Sequence, residues 1–126
     1  MQVQKVKDVV ILYLTGTDLS HPQETSEIVQ RLLQEDGERK FVADLSEMTD
    51  IMSLQAGTLF ALHALCYENV AVLKLTGARD KVKMVLRLIG LDKIIEIHHG
   101  QQVALESFGP YQGYPPQTGG TPLNTK

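Results

Sequence analysis

Three short, predominantly apolar runs, each closed by a polar or glycine-containing stop, constrain this chain more than any other feature: Val9-Val-Ile-Leu-Tyr-Leu14, Phe41-Val-Ala43 and Val70-Ala-Val-Leu-Lys-Leu75. The first, continuously apolar and with β-branched and aromatic residues, reads as a strand buried on both faces, the second as another buried strand and the third as a strand closed by Thr76-Gly77. Helical patterns separate them. Ile28, Leu32 and Leu33 recur among Glu and Gln until Asp36-Gly37; an apolar segment from Leu54 to Cys66 is too long for a strand and reads as a largely buried helix beginning at Ser53. From Asp80 to Ile89, Val82, Val85, Leu86 and Ile89 make one helical face, and Gly90 supplies the stop. Strands separated by helices in this order require parallel neighbours joined by crossovers, an α/β architecture.

The remaining elements are shorter. Val3 and Val6 suggest an edge strand that pairs with the Val9 run through a turn near Lys7-Asp8, Ile94-Ile-Glu-Ile97 reads as a short strand, and Gln101 to Phe108 as a last amphipathic helix carrying Val103, Ala104 and Leu105. Residues 109–126 hold four Gly, four Pro and one charged residue, so they are expected to be a disordered tail; the Tyr114-Pro-Pro116 match to Pro-rich ligands is common by chance. The domain expected is therefore 1–108.

With 126 residues, 43% of them hydrophobic, the chain supports one core rather than two domains. A net charge of −3 gives no basic surface for a phosphate backbone or an anionic bilayer, so neither nucleic acid nor membrane is an expected partner. No apolar stretch approaches the ~20 residues of a membrane-spanning helix, and the N-terminus lacks a secretory pattern; a cytoplasmic location is the expectation. The single Cys66 agrees with a reducing compartment and, in its apolar run, reads as a small buried hydrophobe.

The stretch Asp44-Leu45-Ser46, followed by Ser53 and Gly57 at the opening of an apolar helix, resembles the STAS family, the sulfate-transporter and anti-sigma-factor-antagonist domain. The match is distributed over roughly residues 3 to 108: an early strand ending in glycine at Leu12-Tyr-Leu-Thr-Gly16, and a late helix running through Gly90-Leu91 into the Ile-rich Ile94–Ile97. The resemblance implies a single domain with a small mixed sheet of four to five strands and about four helices packed mainly on one side.

In the antagonist branch of that family a helix opens with Asp-Ser-Ser/Thr-Gly, and its first Ser is phosphorylated by a partner kinase that is itself an anti-sigma factor. Ser53 occupies that place, within Met52-Ser53-Leu54-Gln55: Met replaces the Asp, Leu the second hydroxyl, Gln the first Gly, and Gly57 remains. The resemblance implies an anti-sigma-factor antagonist that binds a serine-kinase regulator and is switched at Ser53. Asp44, Ser46 and Asp50 would shape the approach loop, and Met52, Leu54 and Gly57 would dock the partner. Beside this stand a plain helix N-cap at Ser53 and, for the whole chain, an unphosphorylated STAS scaffold that forms homo-oligomers or joins a signalling assembly. A transporter-associated module is a third class.

No catalytic constellation stands out, and the pattern implies no cofactor and no enzyme. His98-His99 point to opposite faces of an extended segment and lack a completing set of metal ligands, so a solvated turn is the reading there. His21 is isolated; His63 lies in the apolar helix as a core or interface histidine. Thr49 and Thr58 read as loop and helix packing residues, and Gly16 and Gly77 as single glycines after strands.

Overall fold

A computed structural model of the chain describes residues 1–109; the tail expected for 109–126 lies, apart from Gly109, outside the described residues. Five strands form one mixed sheet in the order β1-β2-β3-β4-β5: Gln2–Val6, Val9–Tyr13, Lys40–Asp44, Val72–Thr76 and Ile97–His98. β1 and β2 are an antiparallel hairpin closed by the pair Val6↔Val9, with Lys7 in a left-handed conformation (φ 57°) at the turn. The other neighbours are parallel. The helices are α1 (Gly16–Leu19), α2 (Pro22–Gln34), α3 (Ser53–Glu68), α4 (Asp80–Leu88) and α5 (Gln101–Glu106).

Both sheet faces are covered, which is why the β2 run has no polar alternation. Val10, Leu12, Phe41, Ala43, Leu73 and Leu75 face the main core with Leu19, Val29, Leu33, Leu59, Leu62, Val82 and Leu86 from α1 to α4. On the other face Val9, Ile11 and Val42 meet Ala104 of α5. Helices therefore lie mainly on one side. The end of α5 is anchored by Lys74, a buried β4 residue whose Nζ donates to Ser107 Oγ at 2.8 Å and lies 4.2 Å from the centre of the Phe108 ring.

The structure departs from the sequence reading in several places. The Val70 run pairs only from Val72, with Val70 itself exposed in a left-handed conformation (φ 56°). The Ile94–Ile97 run is not a strand: a 3₁₀ turn over Leu91–Lys93 follows the left-handed Gly90 (φ 80°), Ile95 turns into the core, and pairing begins only at Ile97. The short α1, opened by a Thr15–Asp18 capping box, was not expected. Ile89 is exposed rather than part of the α4 inner face, which is Val82 and Leu86. Finally, α3 is not largely buried: Ala56, Leu59, Leu62 and Cys66 face inward, while Leu54, Gly57, Phe60, Ala61 and Tyr67 form an exposed stripe on the other side.

Candidate functional site

The carboxyl ends of the parallel strands carry the site residues, the position at which open α/β sheets place binding surfaces. A registered row crosses four strands there, Tyr13↔Asp44↔Thr76↔His98. Asp44 is its hub. It is buried; its Oδ1 accepts from Ser46 N–H at 2.9 Å and from Ser46 Oγ at 2.5 Å, and its Oδ2 accepts from Gln101 Nε2 at 3.1 Å. Gln101 also donates to Tyr13 Oη at 3.2 Å, so the start of α5 is tied to β2 and β3 together. Asp44 thus holds the turn that leaves β3 and the start of α5 from beneath the surface.

The loop that leaves β3 is pinned along its length. Leu45 N–H donates to Thr76 O at 2.9 Å, Arg79 Nε donates to Ser46 O at 3.1 Å, and Leu45, Met48 and Ile51 insert into the core. Apolar anchors at this spacing hold the loop as a fixed platform, with Asp50 exposed on it and 3.9 Å from Lys81 Nζ of α4. Asp50 therefore faces α4.

This platform delivers the chain into α3 at Met52, which is the N-cap; Ser53 is the first helical residue. Of the two readings the sequence left open for Ser53, the N-cap is thereby corrected, because the cap position is Met52 and the side-chain bond to its N–H comes from Gln55. Its Oε1 accepts from Met52 N–H at 2.8 Å, and its Nε2 donates to Gly16 O at 3.1 Å and to Ser20 Oγ at 3.2 Å. Gln55, passed over in the sequence, makes the reaching-back half of a capping box, to the N–H of the cap residue itself, and also joins α3 to α1; the three-residue spacing from the cap was the available signal. Ser53 is left exposed, its hydroxyl without a hydrogen bond among the described residues, in a first turn whose leading N–H groups have no intrahelical acceptors.

Around Ser53 the surface is apolar. Met52 is 69% exposed and Leu54 58%. From Leu54 the stripe continues through Gly57, Phe60, Ala61 and Tyr67, and no Asp, Glu, Lys or Arg occurs between Ser53 and Tyr67. His63 sits half-buried between the rings of Phe60 and Tyr67, with centroid distances of 6.5 and 6.3 Å. It belongs to this surface rather than to the core. Thr58 is the packing residue expected of it, donating to Leu19 O at 2.6 Å, and Thr49 lies exposed on the loop.

Cys66 is buried, and desolvation pushes its thiol up to about 12, as befits a core residue. His98 is not a free turn residue: it ends β5, and its Nε2 lies 3.0 Å from Glu96 Oε1. That hydrogen bond, with a second from Lys74, holds the exposed Glu96 carboxyl below its ordinary range. Among the described residues no three His, Cys, Asp or Glu side chains gather as a metal site, and no helix is long and apolar enough to cross a membrane.

Neither family models nor curated protein sequences match the chain. Solved structures do. The protein TM1081, determined in solution, matches at 25% identity and a TM-score of 0.74 over 82% of this chain and 84% of that one; its crystal structure is described as that of a candidate anti-sigma factor antagonist from Thermotoga maritima. A chain of the stressosome, a signal integration and transduction hub, matches at 20% identity and 0.74 over 84% and 94%. A serine-to-glutamate variant of RsbS from Moorella thermoacetica matches at 22% identity and 0.67 over 83% and 93%. The fold is that of the STAS domain, in the α/β form described above.

Proposed function

We propose that this protein is a regulatory binding module of the anti-sigma-factor-antagonist kind, which engages a serine-kinase anti-sigma factor or related regulator through the entrance of α3 and is released when Ser53 is phosphorylated. One observation carries the reading: Ser53 is a solvent-facing, unbonded hydroxyl in the first turn of a helix, on a pinned platform and between two exposed apolar side chains. A hydroxyl so placed is accessible to a partner protein.

The chemistry follows from that placement. A partner kinase would transfer the γ-phosphoryl group of ATP to Ser53 Oγ, forming the O–P bond, breaking the bond to the ADP oxygen and releasing the hydroxyl proton. The helix N-terminus favours the resulting dianion. The same charge beside Met52 and Leu54, with Asp50 two residues before Met52, opposes an apolar contact by desolvation and like-charge repulsion. Met52, Leu54 and Gly57 would form the docking surface, Asp44 and Ser46 the support of its loop, and Asp50 its acidic margin. In this reading residues 1–108 are the working domain, acting in the cytoplasm by binding and not by catalysis.

A second reading, a STAS scaffold that assembles with itself or with larger partners, is favoured by the uncharged stripe that runs on from Gly57 to Tyr67. Likeness to a stressosome chain agrees with it. The experiment begins with intact mass and phosphopeptide mapping of protein from its native host under several growth conditions. Ser53→Ala should bind a serine-kinase anti-sigma factor from the same genome constitutively, and Ser53→Asp should weaken that binding at least tenfold. Equal binding by both variants overturns the switch; a large homo-oligomer that never accepts phosphate moves the conclusion to the scaffold.

A further inference from the structure

Several of the described cations have a fixed partner. Lys5 pairs with Glu38 at 2.7 Å, Lys40 with Asp8 at 2.6 Å, Lys74 with Glu96 at 3.3 Å, and Arg39 and Arg79 donate to backbone carbonyls. Lys83 and Arg87, like Lys7, Arg31 and Lys93, have no side-chain hydrogen bond or ion pair among the described residues; what sets these two apart is that they line one cleft. They lie four residues apart on α4, so their charges share one face, an arrangement that weakens a helix rather than supporting it.

That face borders a cleft of about 290 Å³ between α4 and the end of β5, lined by Lys83, Arg87, Asp92, Ile97, His98 and His99. β5 brings the two histidines there because its pairing with β4 ends at Thr76↔His98. His98 uses Nε2 toward Glu96, and His99 has no partner among the described residues. Asp92 is the one carboxylate in the lining, against two permanent cations, and pairs with neither. The cleft lies beyond the carboxyl end of the edge strand, and on a different face of α4 from Lys81, which turns to Asp50 and the Ser53 platform.

We infer that this cleft is a binding site for a small phosphate-bearing anion, free or as a phosphomonoester. The Arg87 guanidinium offers a planar fork matched to two phosphate oxygens, Lys83 a second cation one helical turn away, and the imidazoles hydrogen-bonding groups from the opposite wall. The bound anion relieves the repulsion along α4. Its volume leaves room for a substituent beyond the phosphate itself, with Ile97 as an apolar wall.

The test is a titration of the full chain, at constant ionic strength, with inorganic phosphate in one arm and O-phosphoserine in another, followed by backbone amide shifts. Saturable shifts confined to Lys83, Arg87, His98, His99 and their neighbours are expected, and Arg87→Gln or Lys83→Gln should each weaken binding about tenfold. Tighter binding of phosphoserine identifies a phosphomonoester ligand; equal or tighter binding of phosphate identifies the free anion. Absence of saturation, an equal response to chloride, or unchanged binding in Arg87→Gln overturns the site. Arg87 is exposed and has no side-chain hydrogen bond or ion pair among the described residues, so this variant remains testable even if the Lys83 change disturbs α4.

Discussion

The Gln55 side-chain amide donates to the Gly16 carbonyl at 3.1 Å while its oxygen accepts from Met52 N–H at 2.8 Å, so one residue both caps α3 and fastens it to α1. Where the STAS antagonists resembled here place a small residue, this chain has a clamp. Gln55→Ala removes the cap and leaves the Gly16 oxygen without this donor. The loss should be about 1–2 kcal/mol, read as a lower urea midpoint at unchanged m-value. Unchanged stability would mean that the Ser53 platform is held by the apolar anchors alone.

Burial of Cys66 makes stability depend on pH at the alkaline end. The thiol is raised from its ordinary value near 9 to about 12, so the unfolded chain gives up this proton first. Its contribution is complete below pH 9 and declines as pH rises toward 12, at most about 1.4 kcal/mol per pH unit. Cys66→Ala should flatten that part of the profile in denaturant titrations between pH 9 and 11. In the native state at pH 8, thiol reagents should modify Cys66 only as fast as the chain opens.

Gly77 follows β4 with φ 74°, and a Cβ there would stand 3.0 Å from Asp44 Oδ1 and 3.2 Å from the Ser46 amide nitrogen. The glycine is required twice, by its backbone and by the closeness of the Asp44 turn. Gly77→Ala should therefore cost about 2 kcal/mol in thermal or urea unfolding and loosen the Ser46 end of the platform. Gly37, with φ 70° and open space around it, has only the backbone requirement and should lose less on the same change.

The strands buried on both faces were legible because covering removes alternation: Val9–Tyr13 and Phe41–Ala43 stand where their apolar runs placed them. Ile94–Ile97 shows the limit of the same signal, since an apolar run cannot distinguish a strand from a tight turn that drops one side chain, Ile95, into the core. For α3, composition announced burial while its outward half is exposed. An uncharged helix reads alike whether its second face meets the core or a partner. Ser53 was found by its place in a family pattern, but its exchange of roles with Met52 and Gln55 depends on backbone geometry at one residue. The Tyr13–Asp44–Thr76–His98 row and the Lys83–His99 cleft join residues far apart in the chain, through strand register and crossover, and no local pattern carries that information.

Gly57 separates folding from binding most cleanly. It lies inside α3, exposed, with nothing within 4 Å of where a Cβ would stand, so no packing contact and no backbone angle requires glycine there. In a helix interior glycine is less favourable than alanine by roughly 0.5–1 kcal/mol, and Gly57→Ala should raise stability by that amount in urea unfolding. If the stripe from Leu54 to Tyr67 is a docking surface, the missing side chain instead allows close approach of a partner. The added methyl should then weaken partner binding or self-assembly at least severalfold, measured by calorimetry or light scattering on the same preparation. A variant both more stable and fully able to bind would move the contact away from Gly57, toward Met52 and Leu54 at the helix entrance.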